Sequence, residues 1–318
     1  MKKLLLMLII LIGTAVFLYF KTEQILYEPM PVKGHLVVQI PSGASLEKIA
    51  DILEKRKLIA NRYYFLIYAK INRIYPQIKA GEYLIKHDVS LTQISEILVS
   101  GKLYLRKVTV PEGKTMHEIG EILADNKLLT GEFTLPSEGM FLPETYTFSR
   151  GESRQKIVKQ GQRALRKVLQ QAWQERDADL PLKNLKEMLI LASIVEKETG
   201  VATERPQVAS VFINRLRRGM LLQTDPTVIY ALTLGQKDLG RALTRRDLEI
   251  DSPYNTYKYT GLPPTPICSP GKASIMAVAH PDKTPYLYFV ASGNGGHNFA
   301  RTLSEHNANV QKWRRLQK

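Results

Sequence analysis

The sequence predicts an α+β protein: an N-terminal transmembrane helix, a small α+β module, and a larger mixed α+β domain with a central apolar helix. Three observations predict it. An uncharged run from Leu4 to Phe20 follows Met1-Lys2-Lys3. A strand, Pro-x-Gly turn and amphipathic helix occur at Ile40–Leu53 and again at Val110–Leu123. Beyond residue 150, helical periodicity gives way to Pro- and Gly-rich loops and one short strand.

Residues 1–3 are expected as a cytoplasmic tail and 4–20 as a transmembrane anchor. The apolar run is at the short end of what spans a bilayer. A cleaved signal peptide is the competing reading. No small-x-small site follows it, and the run ends Val16-Phe17-Leu18-Tyr19-Phe20-Lys21, with aromatic residues suited to a membrane interface. Lys2 and Lys3 favour the inside, so the rest of the chain is expected outside the cytoplasm. Residues 21–35, polar with two prolines, read as a linker.

Residues 36–106 form the small module. In each copy of the repeat, Ser45 or Thr115 stands at a helix N-cap after Pro41-Ser42-Gly43 or Pro111-Glu112-Gly113. Apolar residues at 46, 49, 52 and 53, and at 116, 119, 122 and 123, have helical spacing. Between the copies, Ile78-Lys79-Ala80-Gly81-Glu82-Tyr83-Leu84-Ile85 reads as a turn into another strand. An early capped helix and a late Gly-x-x-Leu strand resemble a LysM-type module; a sugar-binding role and a purely positioning role both fit.

Residues 107–318 form the larger domain. It holds a strongly basic helix over 152–176, a nearly apolar helix over 182–199 and an amphipathic helix over 204–218. Loops follow from 220, including Gln223-Thr224-Asp225-Pro226-Thr227 and Pro253-Tyr254-Asn255-Thr256-Tyr257. The strand Tyr286–Val290 and the polar turn Gly293-Asn294-Gly295-Gly296-His297 come last. Loops on a helical frame are where binding and chemistry concentrate.

The apolar helix ends Ile194-Val195-Glu196-Lys197-Glu198-Thr199-Gly200. At about 100° per residue, Glu196 falls beside the polar stripe of Lys186, Ser193 and Lys197. Glu198 falls next to Leu191 and Ile194. A carboxyl group there is desolvated, which raises its pKa and keeps its proton on near neutrality, as a general acid requires. The helix C-terminus pushes the same way. A plain alternative stays open: two carboxylates solvating a helix end. The glutamates lie roughly 160° apart on one helix, a poor pair for two-carboxylate glycoside hydrolysis. Asp225 is a possible second acid, although Asp before Pro226 also starts turns. A one-acid route needs no partner: the sugar's own 6-hydroxyl attacks, and a 1,6-anhydro sugar results. The Thr199 hydroxyl is placed to orient the acid.

Several segments closely resemble the endolytic murein transglycosylases, the YceG-like family. They are Ile194–Thr199, Glu204-Arg205, Val208–Leu216, Leu222–Tyr230, Tyr254–Tyr257, Gly261–Pro264, His280-Pro281, Thr284–Val290, Gly295–Phe299 and His306-Asn307. The resemblance covers essentially the whole chain, tightly over 186–310 and loosely over 36–110. It implies that Glu198, the second Glu of Glu-Lys-Glu-Thr, is the acid. It implies non-hydrolytic cleavage of MurNAc-GlcNAc bonds within nascent glycan strands, leaving 1,6-anhydro-MurNAc ends and terminating elongation. Thr199, Gln223, Thr224, Asp225, Asn255, Tyr257, His297 and Asn298 are the expected substrate contacts. The implied partners are peptidoglycan strands, membrane lipid through residues 4–20, and peptidoglycan synthases. The implied location is the inner (plasma) membrane with the catalytic domain outside the cytoplasm.

Composition narrows the rivals. With 318 residues and 44% hydrophobic content, the chain builds real cores. A net charge of +15, from 45 Lys+Arg against 30 Asp+Glu, favours an anionic partner. Lys and Arg along the basic helix lack interleaved stacking aromatics, and the anchor puts them outside the cytoplasm, so nucleic acid is not expected. Anionic lipid head groups or stem-peptide carboxylates fit instead. His35, His87, His117, His280, His297 and His306 make no short metal-ligand spacing, so neither metal nor other cofactor is expected. A single cysteine, Cys268, excludes an internal disulfide; in its Pro-rich run it reads as an apolar filler. A non-catalytic wall-binding scaffold for synthases is the remaining alternative.

Overall fold

The computed structural model describes residues 2–316, and the chain divides into two units. One comprises Met1–Arg106 with Thr147–Arg150; the other comprises Lys107–Tyr146 with Gly151–Lys318. Secondary structure is mixed α and β, as expected. Met1 of the expected tail, and residues 317–318 of the expected second domain, lie outside the described residues.

The first unit opens with α1 (Lys2–Tyr27), of which Lys3–Tyr27 is long and apolar enough to cross a membrane. The helix does not stop at Lys21, where a linker was expected. Its last turn is docked: Leu26 packs on the module's core, and the Leu26 carbonyl accepts from Thr92 Oγ1 at 3.2 Å. Met30 then exchanges backbone hydrogen bonds with Val89. A polar stretch held at both ends keeps its helical hydrogen bonds rather than fraying.

Strand β1 (Leu36–Ile40) is followed by α2 (Leu46–Lys55), α3 (Arg62–Ile71), β2 (Gly81–Ile85) and α4 (Leu91–Ser100). β1 and β2 pair antiparallel, with Val38 opposite Tyr83 and Ile40 opposite Gly81. Alternation sends Val38, Ile40, Tyr83 and Ile85 inward onto Ile49, Leu53, Phe65, Ile94 and Leu98. Ser45 caps α2 by accepting from Lys48 N, and Ser90 with Gln93 forms a capping box on α4. Glu82 is buried on β2 but receives both Nε and Nη2 of Arg106, at 2.9 and 3.0 Å. That fork holds its carboxyl below the usual range despite burial.

The boundary between the units runs through β3 (Arg106–Thr109) and β4 (Thr145–Phe148), which flank α5 (Met116–Asp125). The sequence repeat is a repeat of local structure. Gly43 and Gly113 take φ of 71° and 74°, and Thr115 with Glu118 caps α5 as Ser45 caps α2. Next come α6 (Arg154–Glu175), α7 (Leu185–Glu198), α8 (Arg205–Arg217), α9 (Asp225–Thr233) and α10 (Lys272–Ala279). The second unit closes with β5 (Tyr288–Ala291), β6 (His297–Ala300) and α11 (Leu303–Leu316).

Every residue of α7 from Met188 to Val195 is buried, because α6, α8, α9 and α10 surround it. Gly161 lets α6 approach: a Cβ there would lie 2.2 Å from the Phe141 ring. β5 and β6 form an antiparallel hairpin on which α11 packs. Two helices occupy a region expected to be loops. Asp225-Pro226 starts α9 rather than a turn, since proline in a first turn has no helical N–H to lose. α10 follows Gly271, with Ile275 and Val278 filling the core against α7.

Candidate active site

The two glutamates at the end of α7 meet different surroundings. Glu196 does not face solvent, as its place beside the polar stripe suggested; its side chain is only 6% exposed. Its Oε2 accepts from Gly271 N at 2.9 Å and Ser274 Oγ at 2.8 Å, and its Oε1 lies 3.6 Å from Arg205. The N-terminus of α10 covers it, so Glu196 ties α7 to α10 and α8. A side chain at 271 would collide with Glu112, which shares Arg205.

Glu198, half-buried, lines a cavity of about 360 Å³ together with Arg215, Gln223, Asp225, Tyr257, Tyr288 and His306. Phe212, Leu222 and Phe289 form the apolar wall around it. Thr224 Oγ1 donates a hydrogen bond to Glu198 Oε1. Burial pushes the Glu198 carboxyl up to about 7. The Thr224 hydrogen bond opposes the rise, the Asp225 carboxylate adds to it, and the charges of His297 and Arg215 oppose it. The group therefore carries or releases a proton near neutrality. Wheel geometry foresaw the side of the helix and the direction of the shift; the tertiary environment supplies the groups that oppose it and add to it.

The other expected residues fall into two groups. Gln223, Asp225 and Tyr257 line the cavity, and Thr224 touches Glu198 behind it. Tyr257 donates its phenolic hydrogen to Asp225 Oδ1, and burial raises the phenol's pKa, so it stays a donor. Gln223 takes φ of 48°, held by its N–H on Thr256 O at 3.1 Å. Asn255 instead is fully buried beneath the loop. Its Nδ2 donates to Leu248 O and Ile250 O, and its Oδ1 accepts from Tyr257 N at 3.0 Å, so it shapes the loop that presents Tyr257.

Thr199 makes no side-chain hydrogen bond to Glu198 among the described residues. Its hydroxyl accepts from Val201 N at 3.0 Å, closing the turn after α7, and the hydrogen bond to Glu198 comes from Thr224 instead. His297 is engaged by Glu204, through Nδ1 at 2.7 Å and through its backbone N–H at 3.0 Å. Asn298 sits in β6 opposite Val290, outside the cavity lining. Cys268 is fully buried against the Ser193 carbonyl, and burial raises its thiol pKa far above the ordinary value.

Sequence reasoning missed Arg215, Tyr288 and His306 as cavity residues. Arg215 is 8% exposed, yet among the described residues its guanidinium has only backbone carbonyls for acceptors. Nε donates to Leu287 O at 2.7 Å, and Nη1 donates to Leu222 O at 2.7 Å and Leu221 O at 3.3 Å. Its charge thus faces the cavity without a carboxylate bound to it. The signal was available: Arg215 continues the apolar stripe of Val208, Val211 and Phe212, where a charge needs a reason. His306 stacks on Tyr288 at 5.3 Å between centroids, and its buried Nδ1 has no hydrogen-bond partner among the described residues. The one signal was the resembling segment His306-Asn307, to which no role was attached.

Comparison with known proteins bears on this geometry. The YceG-like family pattern matches residues 38–312 of the chain. A Bacillus subtilis (strain 168) protein named endolytic murein transglycosylase is 35% identical, over 96% of this chain and 91% of that protein. A Streptococcus pneumoniae (strain D39) protein of the same name is 30% identical, over 92% of this chain and 61% of the longer relative. The crystal structure of a YceG-like protein from Listeria monocytogenes is similar at a TM-score of 0.51 and 33% identity. That similarity covers 87% of this chain and 99% of the other.

Proposed function

The chain belongs to the YceG-like family, and on that footing we propose that it is an endolytic murein transglycosylase with Glu198 as its acid. The observation that carries the proposal is the Glu198 carboxyl at the cavity, pushed up to about 7 by burial. A protonated Glu198 gives its proton to the glycosidic oxygen between MurNAc and GlcNAc as the C1–O bond breaks. The resulting carboxylate takes the proton of the C6 hydroxyl as O6 closes on C1. The proton count balances without water, Glu198 ends protonated, and the product is a 1,6-anhydro-MurNAc end. A pKa near the working pH suits a group that must both give and take a proton.

Neighbouring groups support both halves of that cycle. Thr224 orients the carboxyl, and the buried charge of Arg215 stabilises its anionic form. Asp225, bonded by Tyr257, supplies negative charge toward the oxocarbenium-like centre. Gln223 and Tyr257 offer polar contacts to sugar hydroxyls, whereas Asn255 and Thr199 act by shaping the loops. His297 and Asn298 act from the hairpin at the edge of the site. The first unit serves as a LysM-like module, and α1 anchors the chain in the inner membrane with its bulk outside the cytoplasm. Cleavage there terminates strand elongation beside the synthases.

The test is digestion of glycan strands by the full-length protein and its Glu198→Gln variant, with products read by mass. Anhydro products that fall roughly 10²–10⁴-fold in the variant are expected. Products one water heavier would make the enzyme a hydrolase, with Asp225 as its second carboxylate.

A further inference from the structure

The face of α3 turned away from the first unit's core is apolar and exposed. Tyr63, Ile67 and Ile71 are 62%, 58% and 74% exposed, and Tyr64 lies beside them. At about 100° per residue, these four and Lys70 share an arc of roughly 120°. The opposite face holds Phe65 and Ala69, both buried in the core. The core is therefore already served, and the outer stripe has another use. From Arg62 to Tyr75 the sequence has Arg62, Lys70 and Arg73 and no acidic residue. Lys70 and Arg73 are exposed.

The position of α3 selects the occupant. Tyr64, at its start, shares a cavity of about 320 Å³ with Gln24 and Ile25 of the last turns of α1 and with Glu28 just beyond it. That end of α1 is fixed to the module through Leu26, Thr92, Met30 and Val89. Along a continuous helix, at about 1.5 Å per residue, Gln24 and Ile25 lie roughly 6–8 Å beyond Phe20. If Phe20 marks the edge of the hydrocarbon, α3 begins at head-group depth, where interfacial amphipathic helices lie. Aliphatic Ile67 and Ile71 suit acyl chains rather than sugar hydroxyls, and the cations suit anionic head groups.

We propose that α3 lies in the outer head-group layer of the membrane that α1 crosses. Tyr63, Tyr64, Ile67 and Ile71 would dip into lipid, with Lys70 and Arg73 on anionic head groups. This rests on the anchor reading above. It would give the first unit two attachments to the bilayer and so a defined height over it.

The test uses the full chain with one introduced cysteine, Ile67→Cys or, separately, Ile12→Cys on α1; native Cys268 is buried and unreactive. Each is spin-labelled and reconstituted in vesicles of phosphatidylethanolamine with phosphatidylglycerol. Collisional relaxation by lipid-soluble oxygen is compared with that by a water-soluble nickel chelate. The proposal expects both labels to favour oxygen several-fold, and the Ile67→Cys label to lose depth when phosphatidylcholine replaces phosphatidylglycerol. Nickel preference at position 67 with oxygen preference at position 12 would overturn the proposal and leave the anchor intact. Nickel preference at both would overturn the anchor as well. Immobilisation of the label at 67 by glycan strands in detergent, without lipid, would make sugar the occupant and overturn it too.

Discussion

Glu198 sits where opposing influences nearly balance. Burial raises its pKa, and Thr224, His297 and Arg215 hold the rise in check. If its protonated form starts the reaction, activity falls as pH rises through about 7. Thr224→Val removes a hydrogen bond that favours the carboxylate, so the alkaline limb of the pH–rate profile should move to higher pH. An unmoved limb would detach Glu198 from that limb. The same carboxyl also affects stability. Its folded pKa lies above its ordinary value of 4.5, so the folded state binds the proton more tightly than the unfolded one. Below about pH 4.5 both states are protonated and there is no penalty; the penalty grows between there and about pH 7 and is complete above. Glu198→Gln should therefore match the wild type near pH 4 and exceed it by up to about 3 kcal/mol above pH 7 in denaturant unfolding.

At the level of elements, the end of α7 is a junction whose two glutamates do separate jobs. Glu196 accepts from the first turn of α10 and faces Arg205 at the start of α8. Glu196→Gln keeps the shape but removes the charge opposite a buried guanidinium. It should lower unfolding stability by roughly 1–3 kcal/mol while anhydro products persist below the melting temperature. Loss of the lytic reaction in a fully folded Glu196→Gln protein would move the acid to Glu196. The helix itself was legible from its apolar run, and Asn184 caps its start. The cover over Glu196 was not, because α10 begins more than seventy residues later and its first turn carries no capping side chain. α9 was missed for a related reason: Asp-Pro begins turns and helices alike, and the residues beyond it decide which.

Over the whole molecule, the charge of +15 acts through long-range attraction. Association with strands carrying acidic stem peptides should weaken as salt is raised and the Debye length falls to about 8 Å at 0.15 M. Association with peptide-free strands should change little in the same co-sedimentation series. The repeated turn and capped helix, the apolar run at the N-terminus and the buried core of α7 were legible because each is written in a short period: a cap, a turn, or the 3.6-residue stripe. By itself the sequence determined the mixed α+β class, the apolar helix at the N-terminus and the side of α7 on which Glu198 lies. Tertiary structure alone decided what gathers around that carboxyl. Thr224, Arg215, Tyr288 and His306 come from separate stretches of chain, and Thr224 displaced Thr199 as its hydrogen-bond partner. Such convergence leaves no periodic trace, since it depends on how α7, α8, α11 and the β5–β6 hairpin pack. The low-dielectric surroundings that raise the Glu198 pKa exist only once those elements have expelled water from around it.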